Sequence, residues 1–313
     1  MSIEASATNS AAVSGPPLKR VHRRLQGRTA ALMLAPSIVI YLLFVAMPLV
    51  ATIALSFFSW DLLSSPVFAG FANFAGLMKD ATTLRSIGNT LFFAIITVIV
   101  HMVGAVLLAI AINRPMHWVI RKLMSAAIFF PVLISWAAVS LTWQYILDPN
   151  FGFVSYYLKQ LGITAPGWFI DPHSALPSLI GLDVWHSLGY TMVIILTGLQ
   201  GIPPTLYEAA RIDGAGPVRQ FWSITLPMLS PTLLFASIIS FVGAFQIFDP
   251  MFIITQGGPN NSTISIVQDV YYTAFRDFNM GYASAKSLII VVVILVVSLL
   301  QLGVSRRWVN YDK

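Results

Sequence analysis

Polar side chains inside long apolar stretches mark where this sequence could do chemistry, because such groups are costly there unless they have a use. Two groups combine hydrogen-bonding side chains with aromatic rings: Asp183, Trp185 and His186, and Phe245, Gln246 and Asp249. Carboxylate, amide and imidazole groups can bond to the hydroxyls of a solute, while an aromatic ring packs against its apolar face. Both groups are therefore candidate contacts for a polyhydroxylated solute. The alternative is that terminal Asp and Trp residues anchor a helix at a membrane interface.

Catalytic and nucleotide-binding motifs are missing from the 313 residues. No stretch has the order Gly, four residues, Gly-Lys-Ser/Thr, so we do not expect this chain to bind ATP through such a loop. The chain has no cysteine, and its histidines are scattered at positions 22, 101, 117, 173 and 186, without a paired zinc motif. We therefore expect no catalytic residue, no metal and no cofactor on this chain.

The stretch from Gly201 to Pro227 is an island of soluble character between two apolar stretches. Thr205 and Glu208 have the spacing of a capping box, which predicts a short helix that begins near Leu206. Ala209 and Ala210 leave a low surface on this helix, against which another protein could pack. A hairpin that rests on lipid headgroups is the alternative interpretation.

Glycine and proline set the limits of this loop. Gly214 is expected to end the first helix, and Gly216 followed by Pro217 predicts the start of a second one. Pro227 is expected to interrupt that second helix. Charged residues at the rim of the first helix are Glu208, Arg211 and Asp213.

The composition places most of the chain in lipid. It is 57% hydrophobic and only 10% charged, with a mean hydropathy of +0.79, whereas soluble proteins carry roughly a quarter charged residues. Uncharged runs recur that are long enough for helices of about 20 residues, the length that crosses a bilayer. We expect an all-α membrane protein with six spans near residues 30–57, 87–112, 123–147, 177–200, 228–249 and 282–304.

The distribution of lysine and arginine predicts the orientation of these spans. With the N-terminus inside, 13 of the 18 basic residues fall on inner segments, and Lys286 is counted among the outer ones. Both termini are thus expected in the cytoplasm, and the net charge of +6 reflects topology rather than nucleic-acid binding. We expect a disordered basic tail at 1–28, a membrane domain at 29–305 and a second tail at 306–313.

The loop spacing resembles the signature of a known family. Glu208-Ala209-Ala210, three residues, Gly214, nine residues, then Ile224, any residue, Leu226 and Pro227 is similar to the cytoplasmic loop of membrane subunits of binding-protein-dependent ABC importers. The stretches APSIVIYLLFVAMPLVATIALSFFSWD and FDPMFIITQGGPNNST resemble the carbohydrate-uptake class, which includes maltose- and glycerol-phosphate-type permeases. The resemblance covers about residues 30–305.

The resemblance implies a function and partners. The short helix would be the coupling helix, in which Glu208, Ala209, Ala210, Asp213 and Gly214 meet an ATPase. The chain would form half of a sugar or polyol pathway in the bacterial inner membrane and work by alternating access. It would join a homologous second permease subunit, two ATPase subunits that bind ATP and Mg²⁺, and an extracytoplasmic solute-binding protein. The runner-up is an ion-gradient-driven secondary transporter, for which more buried carboxylates would be expected.

Overall fold

The computed structural model describes residues 32–306, so the predicted tail at 1–28 and all but the first residue of the predicted tail at 306–313 lie outside the described residues. The chain divides into two compact units, Met1–Ala51 and Thr52–Lys313. Helix α1, Leu32–Leu55, contains a π-helical turn at Leu42–Ala46 and corresponds to the first predicted span.

The rest of the chain is helical apart from a short antiparallel ribbon. Strands β1 (Phe58–Ser59) and β2 (Val67–Phe68) pair with Phe58 opposite Phe68. The helices that follow are α2 (Ala72–Leu77), α3 (Ala81–Asn113), α4 (Trp118–Phe129), α5 (Trp136–Ile146), α6 (Phe153–Gln160), α7 (Ala175–Gln200), α8 (Pro204–Ile212), α9 (Pro217–Phe245), α10 (Ile266–Tyr271) and α11 (Met280–Ser305).

Within residues 32–306, five helices are long and apolar enough to cross a membrane, namely α1, α3, α7, α9 and α11. The third predicted span, 123–147, is not one straight helix. It is a bent pair, Trp118–Leu133 and Trp136–Ile146, with an angle of 98° between the two parts. Counted as one broken span, this pair gives the six predicted crossings, and the all-α fold class is confirmed.

The break in the third span has a local cause. Pro131 lies in a 3₁₀ turn at Phe130–Leu133, where it cannot donate a backbone hydrogen bond. Ser135 then caps α5 by accepting a bond from the Ala138 N–H at 3.4 Å. The His186 ring makes a 3.1 Å hydrogen bond to the Ile134 carbonyl, which lies between the two helices. His186 therefore provides a hydrogen-bond partner for the Ile134 carbonyl at the break between the two helices. This structural role differs from the predicted contact with solute.

The expectation that Pro227 interrupts the second loop helix is wrong. Helix α9 runs through this position. Pro227 has no N–H to donate, and a π-helical turn at Phe221–Thr225 changes the backbone hydrogen-bond pattern just before it, so the helix can continue. Pro231 leaves the Pro227 carbonyl without its usual helical donor, and the Ser230 hydroxyl donates to that carbonyl at 2.6 Å. The fifth span is accordingly longer at its start than the predicted 228–249.

Helices α3, α7 and α9 pack together as the centre of the second unit. Towards the end that carries α8, the core is rich in small residues such as Ala105, Ala109 and Ala236, which allow helices in lipid to approach closely. Towards the opposite end, larger side chains fill the core, including Phe93 and Phe245. We call these the α8 end and the far end of the bundle.

A buried ionic cluster joins α3, α10 and α11 at the far end. Lys286 Nζ lies 2.9 Å from Asp269 Oδ1 and 3.4 Å from Asp80 Oδ2, and it donates to Thr273 Oγ1 at 2.9 Å. The sequence places Lys286 among the basic residues of the outer side, near the start of the span predicted at 282–304, and in the structure it lies inside α11 and is only 3% exposed. Its charge is satisfied by residues distant in sequence, which hydropathy alone does not reveal.

Asp80 is the cap of α3 as well as a member of this cluster. Its carboxylate accepts bonds from the backbone N–H groups of Thr82 and Thr83. Burial would raise the pKa of Asp80, but hydrogen bonds from Thr83 and the charge of Lys286 outweigh that effect and hold the pKa at about 2. The carboxylate is therefore ionised at neutral pH, as an ion pair with Lys286 requires.

The close packing of α7 against α4 can be tested at Gly189. A Cβ atom at this position would run into the backbone carbonyl of Ile128, which cannot move away as a side chain end can. We expect Gly189→Val to lower the free energy of unfolding by about 1–3 kcal/mol or more, as overpacking does. The measurement is the thermal unfolding midpoint of the purified chain in detergent.

Gly181 in the same helix is the matched control, because nothing lies within 4 Å of a Cβ atom added there. Gly181→Val should change the midpoint far less. Equal midpoints for the two variants would contradict the packing of α7 against α4.

Candidate functional site

Helix α8 begins earlier than predicted, and its capping box does not form. Pro203 is the N-cap and Pro204 the first helical residue, so Thr205 lies within the helix and no side chain caps it. Proline suits the first position because its missing N–H would be unpaired there and its φ is already helical. The side chain of Glu208 makes no hydrogen bond or ion pair within the described part of the chain, and the residue is exposed.

The end of α8 agrees with the sequence. Gly214 has a φ of +78°, in the left-handed region that a side chain disfavours. The Gly214 N–H bonds to the Arg211 carbonyl at 3.1 Å, and the Ala215 N–H bonds to the Ala210 carbonyl at 2.8 Å. These two bonds form a Schellman motif, which ends the helix abruptly. Gly216 and Pro217 then begin α9, as predicted.

One face of α8 is fixed to the bundle and the other is free. The Tyr207 hydroxyl lies 3.0 Å from Thr225 Oγ1 in the π-helical turn of α9, and the Tyr207 ring packs on the core of the α8 end. Ala209 and Asp213 are exposed on the opposite side, Ala210 is half-buried, and Ile212 is 88% exposed. An alanine surface with an exposed isoleucine and unpaired charges is suited to contact with another protein.

A second polar site lies inside the bundle. A cavity of about 210 Å³ is enclosed by α3, α7, α9 and the start of α5. His101 Nε2 lies 3.6 Å from Asp183 Oδ2 in its wall, and Thr191 Oγ1 lies 3.4 Å from Ser240 Oγ. Neither nitrogen of the His101 ring has a hydrogen-bond partner within the described residues. The cavity therefore offers a carboxylate, an imidazole and hydroxyls from three helices, which suits binding of a hydroxylated solute.

The predicted solute residues do not come together. Asp183 lies in the cavity wall, about 12 Å along α7 and so deeper than the expected helix end. Trp185 lies about 200° around the helix from Asp183 and lines another cavity, of about 610 Å³, with Trp143 and Trp168. The two cavities are separate and lie on opposite faces of α7.

The group at the end of α9 is divided as well. Phe245 is buried in the core and stacks on Phe241 at 5.6 Å between ring centroids. Gln246 follows the last residue of α9, and Gln246 and Asp249 are exposed and line neither cavity. Their predicted contact with solute stays a prediction.

Sequence reasoning missed several residues of the cavity wall, notably Ser187, Tyr190 and Ser240. A polar helical face could have been predicted in α7, because Asp183, Ser187 and Tyr190 follow the three- and four-residue spacing of one face. No group of three or more His, Asp or Glu residues that could hold a metal ion occurs between residues 32 and 306.

Comparison with known proteins agrees with this architecture. Residues 101–310 match the model of the family described as the binding-protein-dependent transport system inner membrane component. The chain is 31% identical to the probable ABC transporter permease protein YurN of Bacillus subtilis, over 87% of this chain and 94% of the relative. It is also 31% identical to the sn-glycerol-3-phosphate transport system permease protein UgpA of Agrobacterium fabrum, over 90% and 95% respectively.

A solved structure has the same fold at full length. A crystal structure of a bacterial ABC transporter involved in the import of the acidic polysaccharide alginate superposes with a TM-score of 0.81 at 25% sequence identity, over 92% of this chain and 99% of that one. The relatives and the fold thus extend across nearly the whole sequence, and the resemblance found in the loop motif is confirmed. The chain belongs to the family of binding-protein-dependent transport system inner membrane components.

Proposed function

We propose that this chain is the permease subunit that forms half of the pathway of an ATP-driven importer for a sugar, polyol or glycerol phosphate. The solute class is supported by the hydroxyl- and carboxylate-lined cavity and by relatives named for glycerol phosphate and starch degradation products. ATP and Mg²⁺ belong to two partner ATPase subunits, and a second permease subunit completes the pathway. A solute-binding protein delivers the solute, and this part of the proposal is supported by a structure of the bacterial alginate ABC transporter in complex with its alginate-bound periplasmic protein.

The observation that carries this proposal is the connection from α8 to the cavity. Tyr207 ties α8 to Thr225 near the start of α9, and Ile239, Ser240, Gly243 and Ala244 near the other end of the same helix line the cavity. A partner that moves α8 therefore acts on a continuous helix that forms part of the cavity wall. ATP binding by the partner would favour one position of α8 and hence one state of the cavity, since a ligand shifts an equilibrium by its differential affinity.

The first prediction concerns the coupling role of α8. Gly214→Val should weaken association with the ATPase or uncouple ATP turnover from uptake, because a β-branched residue is strained at a φ of +78° by about 1 kcal/mol or more. Glu208→Ala should act similarly by removing an exposed carboxylate from the contact face. The measurements are a pull-down of the ATPase and binding-protein-stimulated ATP turnover in reconstituted vesicles.

Gly214→Asn is the matched variant, because asparagine tolerates the left-handed conformation and should retain most of the coupling. The six spans should insert normally in all three variants, since neither residue is buried. Normal pull-down and turnover in both Gly214→Val and Glu208→Ala would rule out the coupling role and favour a hairpin on lipid headgroups.

A second prediction concerns the cavity. Ser240→Ala removes a hydroxyl from its wall and should weaken transport about twofold to tenfold, the effect of one hydrogen bond of roughly 0.5–1.5 kcal/mol. ATPase assembly should be unaffected. Ser237→Ala is the control in the same helix, because its hydroxyl donates to the Leu234 carbonyl and does not line the cavity.

The same uptake assay tests the exposed predicted contacts through Gln246→Ala. A loss of transport in Gln246→Ala but not in Ser240→Ala would move the solute site to the end of α9. Equal transport by Ser240→Ala and Ser237→Ala, for every solute that the importer takes up, would show that the cavity is not part of the pathway.

A third prediction concerns orientation, with α8 and both termini in the cytoplasm. The chain has no cysteine, so single introduced cysteines report position without background. Arg219→Cys and Lys159→Cys are suitable because both side chains are exposed. An impermeant thiol reagent should label position 159 in intact cells and position 219 only after permeabilisation. Labelling of position 219 in intact cells would invert the topology.

A further inference from the structure

Two cavities lie end to end along one face of α3. The lower one, which we call the basic cleft, has a volume of about 700 Å³ and lies between the last turn of α3, α8 and the start of α9. The upper one, the apolar groove, has a volume of about 340 Å³ and lies between the middle of α3 and α9. The lining residues of α3 and its C-cap fall within about 140° of one another around the helix and so form one broad face, and Phe221 borders both cavities. They are Met102, Val103, Val106, Leu107, Ile110, Asn113 and the C-cap Arg114.

The basic cleft carries positive charge that no described residue neutralises. Arg114 and Arg211 line it, and no aspartate or glutamate does. Neither arginine forms an ion pair within residues 32–306, where the ion pairs involve Lys286 and His101. A third guanidinium, that of Arg121, donates to the Arg114 carbonyl at 3.2 Å and so lies beside the cleft. Arginines in such a place suit a phosphate, whose oxygens accept paired N–H bonds.

The apolar groove has the opposite character. Its lining is entirely hydrophobic, and Leu107 and Trp222 are 63% and 62% exposed in it. From Met102 to Arg114 the helix rises about 18 Å, slightly more than half of a hydrocarbon core of about 30 Å. The two cavities together therefore have the length and polarity of one lipid in one leaflet.

We propose that the basic cleft and the apolar groove form one binding site for an anionic phospholipid. The phosphate lies between Arg114 and Arg211, and an acyl chain lies along Val103, Leu107 and Trp222. Basic pockets between spans are known to select anionic headgroups in this way. Because Arg211 belongs to α8 and Arg114 ends α3, the headgroup would join the loop helix to the bundle next to the Tyr207 contact with α9.

The test is a titration of phosphatidylglycerol into the purified, delipidated importer, with bound lipid counted by native mass spectrometry. Phosphatidylethanolamine with the same acyl chains is the reference, and wild type should bind phosphatidylglycerol more tightly. Each arginine near a membrane surface strengthens the binding of an anionic lipid about fivefold. The double substitution Arg114→Gln and Arg211→Gln should therefore weaken phosphatidylglycerol binding roughly 30-fold. Arg219→Gln is the matched control, because Arg219 is exposed in the same loop but does not line the cleft.

A second pair of variants tests the acyl chain. Leu107→Trp fills the groove and should weaken phosphatidylglycerol binding, whereas Leu295→Trp adds the same bulk to an exposed position on α11 and should not. Intact assemblies in the same spectra show that the variants are folded.

Three outcomes would overturn the proposal. Wild type that binds both lipids equally would show that the site does not select an anion, as would happen if the second permease subunit covered this face. Unchanged binding in the double arginine variant would place bound lipid elsewhere. Displacement by soluble glycerol phosphate at the same concentration as the lipid would show that the cleft is a site for a free anion without an acyl chain.

Discussion

The absence of hydrogen-bond partners in hydrocarbon is the constraint on which this structure depends. A polar group within a span is costly unless it finds a partner, and the described helices meet this demand at several weak points. Ser230 bonds the carbonyl that Pro231 leaves free, and His186 bonds the carbonyl at the break of the third span. Lys286 is neutralised by Asp269 and Asp80. These groups have structural duties and are not free for a solute.

The same constraint identifies the groups that remain. His101 has no hydrogen-bond partner at either ring nitrogen within the described residues, and Asp183 faces it at 3.6 Å, too far for a hydrogen bond. Both lie in the wall of a cavity rather than in a packed core. Unsatisfied polar groups in the lining of a cavity are suited to a polar ligand, whereas satisfied ones hold helices together. Burial alone would not have separated His101 from Lys286, because both are almost fully buried.

The sequence predicted the parts of the fold that depend on neighbouring residues. Long apolar runs identified the spans, and the positive φ of Gly214 and the helix start at Pro217 were readable from residue type. Features that depend on distant partners could not be predicted in this way. The ion pair of Lys286, which the sequence placed only as an outer-side charge, was not predicted because Asp80 is far away in sequence. The 98° bend was predicted as a continuous helix because its apolar composition does not change. The capping box failed because Pro204 competes with Thr205 for the start of α8.

The two faces of α7 limit how this chain can bind a solute by itself. Asp183 and Tyr190 line the central cavity, while Trp185 faces Trp143 at 5.3 Å between ring centroids in the other cavity. Residues two positions apart on a helix point about 200° apart, so one solute cannot touch both Asp183 and Trp185 unless α7 rotates by half a turn. Close packing of Gly189 against Ile128 opposes such a rotation. If the solute needs further aromatic contacts beyond Trp136 and Tyr190, the proposed second permease subunit is where they would be expected, which fits a pathway built from two subunits.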